Sequence, residues 1–347
     1  MNIQIIFFVI YIAGATKWYH LNEYHFDAFR EEFNKTYSRW DYPVRREIFN
    51  DNLELIMKHN QDLNKTWKRG VNQFTDMTES ELKQMLGSRP GRKNQKKIIA
   101  HAGDPVSSID WRTRGVVTAV KNQLQCGSCW AFAAAETLES SNAINTGHLE
   151  VLSEQQILDC TLNPMHCGGA GGCNGGTIEV AYDQIIKMGG LSSEWAYPYR
   201  SGYGESFVCN RTRSDPVVNM SFYGSIKQNS YDSMTSVLSN MGPIAVSVDA
   251  SSWFSYESGI FDGCDKENVD LDHAVQLVGM TDNYWLVRNS WGTSWGENGY
   301  IRLAKSSVVT CGVDKTPKDG DGCDNGPATE TVCGTCGILY DGVLPLN

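Results

Sequence analysis

The chain has 347 residues, of which 41% are hydrophobic and 20% are charged, so it can bury a sizeable core as a folded globular protein. Its formal net charge of −10 argues against a nucleic-acid partner, because no basic face is available to neutralise phosphates. No segment beyond the N-terminal region is long and apolar enough to cross a bilayer, so we predict no membrane association.

The first predicted element is a secretory signal peptide over residues 1–15, MNIQIIFFVIYIAGA. Its apolar stretch is too short to span a bilayer, and the final AGA supplies small residues for cleavage. Secretion passes through an oxidising compartment, so the eleven cysteines are expected to form disulfides with one thiol left over. The predicted N-glycosylation sites are Asn34, Asn64, Asn210 and Asn219.

The composition changes near residue 104. Residues 16–103 have a helical pattern, contain no cysteine and carry a formal charge of +4, whereas residues 104–347 carry −14. The join, GSRPGRKNQKKIIAHAGDPVSS, is rich in Gly, Lys and Arg, as an exposed linker would be. We therefore predict a helical module at 16–103 and a disulfide-bearing domain at 104–347, attracted to each other by opposite charge.

Hydrophobic periodicity predicts a mixture of helices and strands. Apolar residues recur at helical spacing between Asp41 and Asn60, which predicts an amphipathic helix there. Past residue 104, SCWAFAAAETLESSNA and SEQQILDC favour helices, whereas PIAVSVDA and YWLVRNSW favour strands. The fold class predicted for this part is α+β.

The segment VKNQLQCGSCWAF contains Cys126 and Cys129 at C-x-x-C spacing. That spacing is compatible with a redox dithiol, half of a zinc site, or one disulfide cysteine beside a nucleophile. Cys129 falls in the first turn of a predicted helix, where unsatisfied N–H groups and the helix dipole lower a thiol pKa. This position favours the interpretation of Cys129 as a nucleophile.

A catalytic base is sought among seven histidines, most of which precede residue 104 or fall in predicted loops. His273 enters the apolar run HAVQLVG, where a lone histidine is more often a core residue than a catalytic one. Asn289 lies among the tryptophans of WLVRNSWGTSWG, and its amide could orient an imidazole without adding a charge. Cys129, His273 and Asn289 are therefore candidates for a triad built across a cleft.

These segments resemble the papain-like cysteine peptidases, especially the cathepsin L group, whose signature is C-G-S-C-W with a distant His and Asn. The resemblance implies an α+β, papain-like two-lobed fold with a helical left lobe and a β-barrel-like right lobe, preceded by a helical propeptide domain. It implies Cys129 as nucleophile, His273 as base and Asn289 as its orienting residue. By the same match Gln123 donates to the oxyanion, and Trp291 shields the His–Asn pair from water.

The amino-terminal module resembles the family's inhibitory propeptide. Residues 70–76, GVNQFTD, fit its G-x-N-x-F-x-D motif. The ERFNIN helix pattern, with Asp in place of the leading Glu, falls on Asp41, Arg45, Phe49, Asn52, Ile56 and Asn60. The resemblance thus implies a monomeric precursor inhibited by its own propeptide, acting on protein or peptide substrates without metal or cofactor.

The resemblance also implies how substrate is bound. In GCNGG, Gly175 and Gly176 would let a peptide backbone lie close. The residues implied for the second acyl-side pocket are Ile178, Ser247, Leu271 and Ala274. Asp341 falls either at the floor of that pocket or on a solvent-facing strand. No large histidine-bearing insertion of the kind that confers exopeptidase activity lies between residues 176 and 197, so an endopeptidase is expected.

The resemblance implies disulfides Cys126–Cys173, Cys160–Cys209 and Cys264–Cys336, with Cys264–Cys311 as a rival to the last. Residues 311–336 exceed the family pattern, and their four cysteines look superficially like a zinc ribbon. Oxidising surroundings favour disulfides there instead. The cysteines left unassigned are Cys167, Cys311, Cys323 and Cys333.

Two other classes of function stay open at this point: an inactive, peptidase-shaped binding protein, and a thiol oxidoreductase using the C-x-x-C pair. The expected destination is the secretory pathway, ending outside the cell or in an acidic, lysosome-like compartment.

Overall fold

The computed structural model describes residues 18–88, 98–210, 215–318, 323–324 and 326–346, so the predicted signal peptide lies outside the described part of the chain. Its α-helices are α1 (Phe26–Glu32), α2 (Asp41–Gln61), α3 (Glu79–Lys83), α4 (Cys129–Thr146), α5 (Glu154–Cys160), α6 (Ile178–Met188) and α7 (Tyr231–Asn240). Its strands are β1 (Trp67–Arg69), β2 (Ile98–Ile99), β3 (Ile109–Asp110), β4 (Phe222–Ile226), β5 (Ile244–Val248), β6 (Tyr256–Phe261), β7 (His273–Met280), β8 (Tyr284–Arg288), β9 (Tyr300–Ala304), β10 (Cys311–Asp314), β11 (Glu330–Cys333) and β12 (Gly342–Leu346).

The amino-terminal module is built on α2, which spans the helix predicted from apolar spacing. Phe49 and Ile56 of α2 are buried in an aromatic cluster with Phe26 and Phe29 of α1. The polar residues of the helix pattern fix the chain that follows: Asn60 Nδ2 donates to Arg69 O at 2.7 Å. The module thus has a small core of its own.

Helix α4 is the central helix of the second part. Its first two turns are almost wholly buried, which explains why its sequence is apolar on all sides rather than amphipathic. It ends at Gly147, whose φ of 78° closes the helix in the left-handed conformation that glycine adopts without strain. α4, α5 and α6 share one hydrophobic core.

The second core belongs to a large mixed sheet. Its strand order is β1-β6-β9-β8-β7-β5-β12-β4-β2, with β3 pairing β7 off this path. Strands β5 and β8 match the two strands predicted from their hydrophobic runs. Within the described residues the path stays open, so this lobe is an open mixed sheet and not a closed barrel.

Both ends of the sheet are occupied by chain that precedes residue 104. β1 pairs antiparallel with β6 at one end, and β2 pairs parallel with β4 at the other. An unpaired edge strand exposes a row of N–H and C=O groups, so the two added strands satisfy edges that the sheet would otherwise leave open.

Five disulfides join the described cysteines: Cys126–Cys173, Cys160–Cys209, Cys167–Cys323, Cys264–Cys336 and Cys311–Cys333. Three of them are the pairs that the family resemblance implies. Cys264 bonds Cys336, so the rival pairing of Cys264 with Cys311 is wrong. The Cys167–Cys323 bond ties the hairpin of β10 and β11, which forms a separate two-stranded sheet, to a loop of the helical lobe.

Candidate active site

Cys129 is the first residue of α4, and it is the free cysteine of the described residues. Its neighbour Cys126 is bonded to Cys173, so the C-x-x-C pair is not a free dithiol. Cys129 is fully buried, and the backbone N–H groups of Ala274 and Gly87 both interact with its thiol. Ala274 follows His273 at the start of β7, so the thiol lies against that strand.

His273 and Asn289 are brought together by the pairing of β7 with β8. His273 Nε2 lies 2.8 Å from Asn289 Oδ1. Because an amide oxygen can only accept, Nε2 carries the proton in this contact and Nδ1 is the unprotonated nitrogen of a neutral ring. Nδ1 has no hydrogen-bond partner among the described residues.

Trp291 covers this pair as the family resemblance implies. Its ring centroid lies 5.0 Å from that of His273, and the side chain is fully buried. Trp253 meets the His273 ring edge-on at 6.4 Å. The imidazole is therefore enclosed by indole rings rather than by water.

A chain of hydrogen bonds links Gln123 to the His–Asn pair. Gln123 Oε1 accepts from Ser290 Oγ at 2.6 Å, and the Ser290 backbone N–H donates to Asn289 Oδ1 at 2.8 Å. The sequence analysis missed Ser290, although it lies inside the quoted RNSWG segment. Its position directly after Asn289 could have identified it, because this position places the Ser290 backbone N–H next to the Asn289 amide oxygen.

Buried polar contacts hold α4 against the sheet. Arg288 Nη2 donates to Glu136 Oε1 at 2.9 Å, and both side chains are almost completely buried. Gln276 Nε2 of β7 donates to the Glu136 backbone carbonyl at 2.9 Å. These contacts fix the helix that begins at Cys129 relative to the strand that begins at His273.

Burial dominates the acid–base properties of both groups in the precursor. It raises the pKa of Cys129 to about 12, although the N–H groups of Ala274 and Gly87 oppose this. It lowers the pKa of His273 to about 4, although the hydrogen bond that His273 donates to Asn289 opposes this. The predicted lowering of the Cys129 pKa is therefore wrong for the precursor, because loss of solvent outweighs the helix N-terminus. Near neutral pH both groups are uncharged.

The cause of this burial is the segment that follows α3. Its backbone runs through the cleft: Gln123 Nε2 donates to Met85 O at 2.8 Å, and Gly176 N donates to Gly87 O at 3.1 Å. Ser88 N donates to Asp272 O at 3.1 Å, next to His273. The sequence analysis did not identify these cleft-filling residues, because no side-chain pattern marks a contact made by backbone atoms.

Glycines allow this close passage. A Cβ on Gly176 would lie 2.7 Å from the Trp130 ring, and one on Gly87 would lie 2.1 Å from Gly127 O. Gly175, with φ of 93°, adopts the left-handed conformation, and a Cβ there would lie 2.2 Å from Gly168 O. A side chain on Gly87 would push the propeptide segment away from the peptidase domain, whereas side chains on Gly175 and Gly176 would clash mainly within that domain.

Aromatic rings anchor the amino-terminal module outside the cleft. Phe74 meets Trp291 and Phe254 edge-on at 5.4 and 5.5 Å, and Phe254 stacks on Trp291 at 4.5 Å. Gln73 Nε2 also donates to Trp291 O at 2.8 Å. The ring that shields His273 is thus itself covered by the module.

Charge pairs do not carry this docking in the described residues. The ion pairs that the described residues of the amino-terminal module form lie within that module. They are Arg30–Asp27, Lys35–Asp76, Arg45–Glu81 and Lys83–Glu79. The basic residues between 89 and 97 lie outside the described part of the chain, so the predicted attraction between a basic module and an acidic domain stays a prediction.

Most residues of the implied specificity pocket are linked by strand pairing, a hydrogen bond or a shared core, and Leu271 is the exception. Ser247 of β5 and Ala274 of β7 are register partners, and Ile178 belongs to the same hydrophobic core as Ala274. Ser247 Oγ donates to Asp341 Oδ2 at 2.8 Å, and Asp341 is 1% exposed. The alternative that Asp341 faces solvent is therefore wrong. Leu271 is fully buried and belongs to a separate small cluster with Tyr340.

The four predicted glycosylation asparagines are exposed on the surface. In the part of the chain that the structure describes, no group of three His, Cys, Asp or Glu side chains is arranged to hold a metal. Nor does any helix there have the length and hydropathy needed to cross a membrane.

Comparisons with known proteins match both parts of the chain. The model for the papain family of cysteine proteases matches residues 105–319, and that for the cathepsin propeptide inhibitor domain (I29) matches residues 26–82. Fruit bromelain of Ananas comosus is 38% identical over 309 residues, covering 84% of each chain. Cathepsin L2 of Homo sapiens is 35% identical over 314 residues, covering 86% of this chain and 90% of that protein.

Solved precursor structures have the same architecture. Recombinant stem bromelain precursor superposes with a TM-score of 0.75 at 33% identity, covering 92% of this chain and 96% of that one. Digestive procathepsin L2 proteinase of Tenebrio molitor larval midgut gives 0.77 at 28% identity, covering 92% and 98%.

The fold and these matches define a cysteine endopeptidase made as an inactive precursor. The chain belongs to the papain family of cysteine proteases and carries a cathepsin propeptide inhibitor domain as its own intramolecular inhibitor.

Proposed function

We propose that this endopeptidase cleaves peptide bonds with Cys129 as nucleophile, His273 as general base and acid, and Asn289 as the residue that orients His273. The observation that carries the proposal is the hydrogen-bonded series His273–Asn289–Ser290–Gln123 beside the free thiol. The Nε2 contact with Asn289 leaves Nδ1 available to take the thiol proton. Removal of the propeptide returns water to the cleft, and the thiolate–imidazolium pair becomes accessible.

In the proposed reaction the Cys129 thiolate attacks the carbonyl carbon of the scissile bond. The resulting oxyanion accepts hydrogen bonds from the Cys129 backbone N–H and from Gln123 Nε2, which in the precursor donates to Met85 O. His273 then protonates the leaving amine, and water hydrolyses the acyl-enzyme with His273 as base. In the precursor, Met85 O therefore accepts the Gln123 hydrogen bond that the oxyanion needs during the reaction.

Substrate is proposed to lie against Gly175 and Gly176, as the propeptide backbone does at Gly87. Ile178, Ser247, Leu271 and Ala274, with Asp341 at the floor, are proposed to line the second acyl-side pocket. Its walls accept Leu or Phe, and the buried carboxylate accepts Arg or Lys.

The protein is further proposed to be a monomeric glycoprotein of the secretory pathway that acts outside the cell or in an acidic compartment. The predicted signal peptide over 1–15 and the five disulfides support this route. We also propose that the propeptide comprises residues 16–103 and the peptidase domain residues 104–347.

The test is peptide hydrolysis by the processed enzyme. Cys129→Ala and His273→Ala precursors are cleaved in trans by wild-type enzyme and assayed with a peptide carrying Leu at the second acyl-side position. Both variants should lose all measurable turnover while secretion and near-UV circular dichroism stay unchanged. Gln123→Ala should lower kcat by about 10²–10³-fold, as expected for one oxyanion donor.

His148→Ala is the matched control, because this histidine is exposed on a loop. Substantial turnover by the Cys129 or His273 variant would refute the assignment. A folded wild-type enzyme that binds peptides without hydrolysing them would favour the inactive binding protein, and insulin reduction would favour the oxidoreductase.

A further inference from the structure

A cavity of about 190 Å³ lies at the junction of the propeptide and the peptidase domain, away from the cleft. One wall comes from α2, the end of β1, the segment that follows it and α3, and the other comes from the loop before β6. Its lining residues are Asn52, Leu55, Ile56, Arg69, Asn72, Phe74, Thr75, Leu82, Ser251, Ser252, Phe254 and Ser255. Neither part of the chain forms this cavity without the other.

Arg69 brings an uncompensated positive charge to this cavity. Its Nε is buried and has no hydrogen-bond partner, and no described carboxylate forms an ion pair with it. The guanidinium carbon lies 5.4 Å from the Trp67 ring, which does not neutralise it. Burial lowers the pKa of Arg69. A partly desolvated guanidinium without a counter-ion favours the binding of an anion.

The other polar groups of the lining are already used within the fold. Asn52 Nδ2 donates to Thr75 O at 2.8 Å, and Asn72 Nδ2 donates to Phe254 O at 2.7 Å. Much of the remaining wall is hydrocarbon, contributed by Leu55, Ile56 and Phe74 among others. The cavity therefore combines one unused charged donor with apolar walls.

We propose that this cavity is a binding site for a small carboxylate with an apolar or aromatic body, with the carboxylate on Arg69. The size fits such a ligand, since an apolar cavity of about 150 Å³ accommodates a benzene ring. Because the two walls belong to propeptide and enzyme, the ligand binds the docked precursor and not the processed enzyme. By mass action it stabilises the docked state and slows conversion of the precursor.

The probe is phenylacetate, with neutral phenylacetamide as the matched control. Thermal unfolding of the Cys129→Ala precursor, which cannot process itself, is followed at pH 7 with increasing concentrations of either compound. Phenylacetate should raise the unfolding temperature to a saturating value, and phenylacetamide should not. Cleavage of the same precursor in trans by wild-type enzyme should slow over the same concentration range.

Two variants separate the site from a general effect. Arg69→Gln removes the charge, and Leu55→Trp fills the cavity from a residue that is 52% exposed on α2. Each should abolish the phenylacetate shift, whereas Leu63→Trp, beyond the end of α2, should keep it. If Arg69→Gln does not fold, Leu55→Trp alone decides whether phenylacetate binds in this cavity.

The proposal is overturned if phenylacetate leaves wild-type unfolding unchanged at millimolar concentration. It is equally overturned if the shift persists in either cavity variant, or if the processed enzyme shows the same shift. None of these results bears on the proposed roles of Cys129 and His273.

Discussion

Asp341 carries a buried carboxyl group that contacts Ser247 of β5. It directly precedes β12, and its side chain accepts a hydrogen bond from Ser247 Oγ at 2.8 Å. Its backbone carbonyl accepts from Ser247 N at 3.2 Å, so two contacts hold the residue beside the proposed pocket. A carboxyl group in this position adds an acceptor to a wall that otherwise consists of apolar side chains and Ser247.

We predict that Asp341→Asn lowers kcat/KM for an Arg substrate by about tenfold or more, because a charge-assisted hydrogen bond is lost. The matched Leu substrate should be cleaved at nearly the wild-type rate, since Asn keeps the contact with Ser247. The measurement is the ratio of the two specificity constants in wild type, Asp341→Asn and Asp341→Ala. An unchanged ratio in both variants would show that Asp341 does not reach substrate.

At the scale of elements, the irregular segment from Met85 to Ser88 is held in the cleft by hydrogen bonds to its backbone and by the buried Met85 side chain. Gly87 is its tightest point, because an added Cβ would lie 2.1 Å from Gly127 O. The fit of the inhibitor thus depends on the absence of a side chain there.

We predict that Gly87→Ala loosens the docked segment and speeds conversion of the precursor, because a clash with backbone atoms cannot be relieved by a rotamer change. Ser88→Ala is the control, since it leaves the Ser88 N–H bond to Asp272 O in place. Conversion is followed by gel at constant pH. Equal rates for the Gly87 variant and wild type would contradict this account of the fit.

The hairpin of β10 and β11 is a second element with a specific role. Cys311–Cys333 closes it internally over a sequence separation of 22, whereas Cys167–Cys323 joins it to the helical lobe over 156. A cross-link stabilises mainly by restricting the unfolded chain, and more so for a longer loop.

We predict that the double variant Cys167→Ser/Cys323→Ser loses about 2–4 kcal/mol of unfolding free energy, seen as a lower melting temperature of the processed enzyme. Cys311→Ser/Cys333→Ser should lose less. An unchanged melting temperature for the first pair would contradict a stabilising tether between the lobes.

At the scale of the whole molecule, no ion pair between the two parts among the described residues explains the predicted acid activation. Arg45 holds the pKa of Glu81 near 2, so this pair remains charged at pH 5 and contributes no trigger there. His59 is a better candidate: its ring lies 4.1 Å from Trp67, and burial, helped by Arg69, Lys65 and Lys68, lowers its pKa below the ordinary 6.5. These groups all belong to the propeptide, so an unfolded propeptide binds more protons than the folded one once the pH falls below about 6.5.

We therefore predict that conversion of the wild-type precursor accelerates between pH 7 and pH 5, and that His59→Gln flattens this response. One proton changes an equilibrium by at most about tenfold per pH unit, and partial exposure of His59 makes the effect smaller. His148→Gln is the control on an exposed loop of the enzyme. Identical pH profiles for His59→Gln and wild type would exclude His59 as the trigger.

Local patterns in the sequence predicted α2, α4, α5, β5 and β8, because each depends on periodicity or propensity within a short window. The same short motifs picked out Cys129, His273 and Asn289. The sequence did not predict the Cys129 pKa, since the pKa depends on a propeptide segment some forty residues away closing over the thiol. The Cys167–Cys323 pairing and the cavity at Arg69 likewise depend on contacts between distant parts of the chain.

The central claim is that Cys129 is the nucleophile and that the propeptide keeps it neutral and inaccessible. Its most direct measurement is the labelling rate by an epoxide-type thiol inhibitor, compared at equal pH in the intact precursor and the processed enzyme, with peptide mapping of the adduct. The account predicts one adduct per processed chain, on Cys129, and labelling of the precursor at least about a hundredfold slower because the thiol is buried. An adduct on another residue, or equal rates in the two forms, would contradict it.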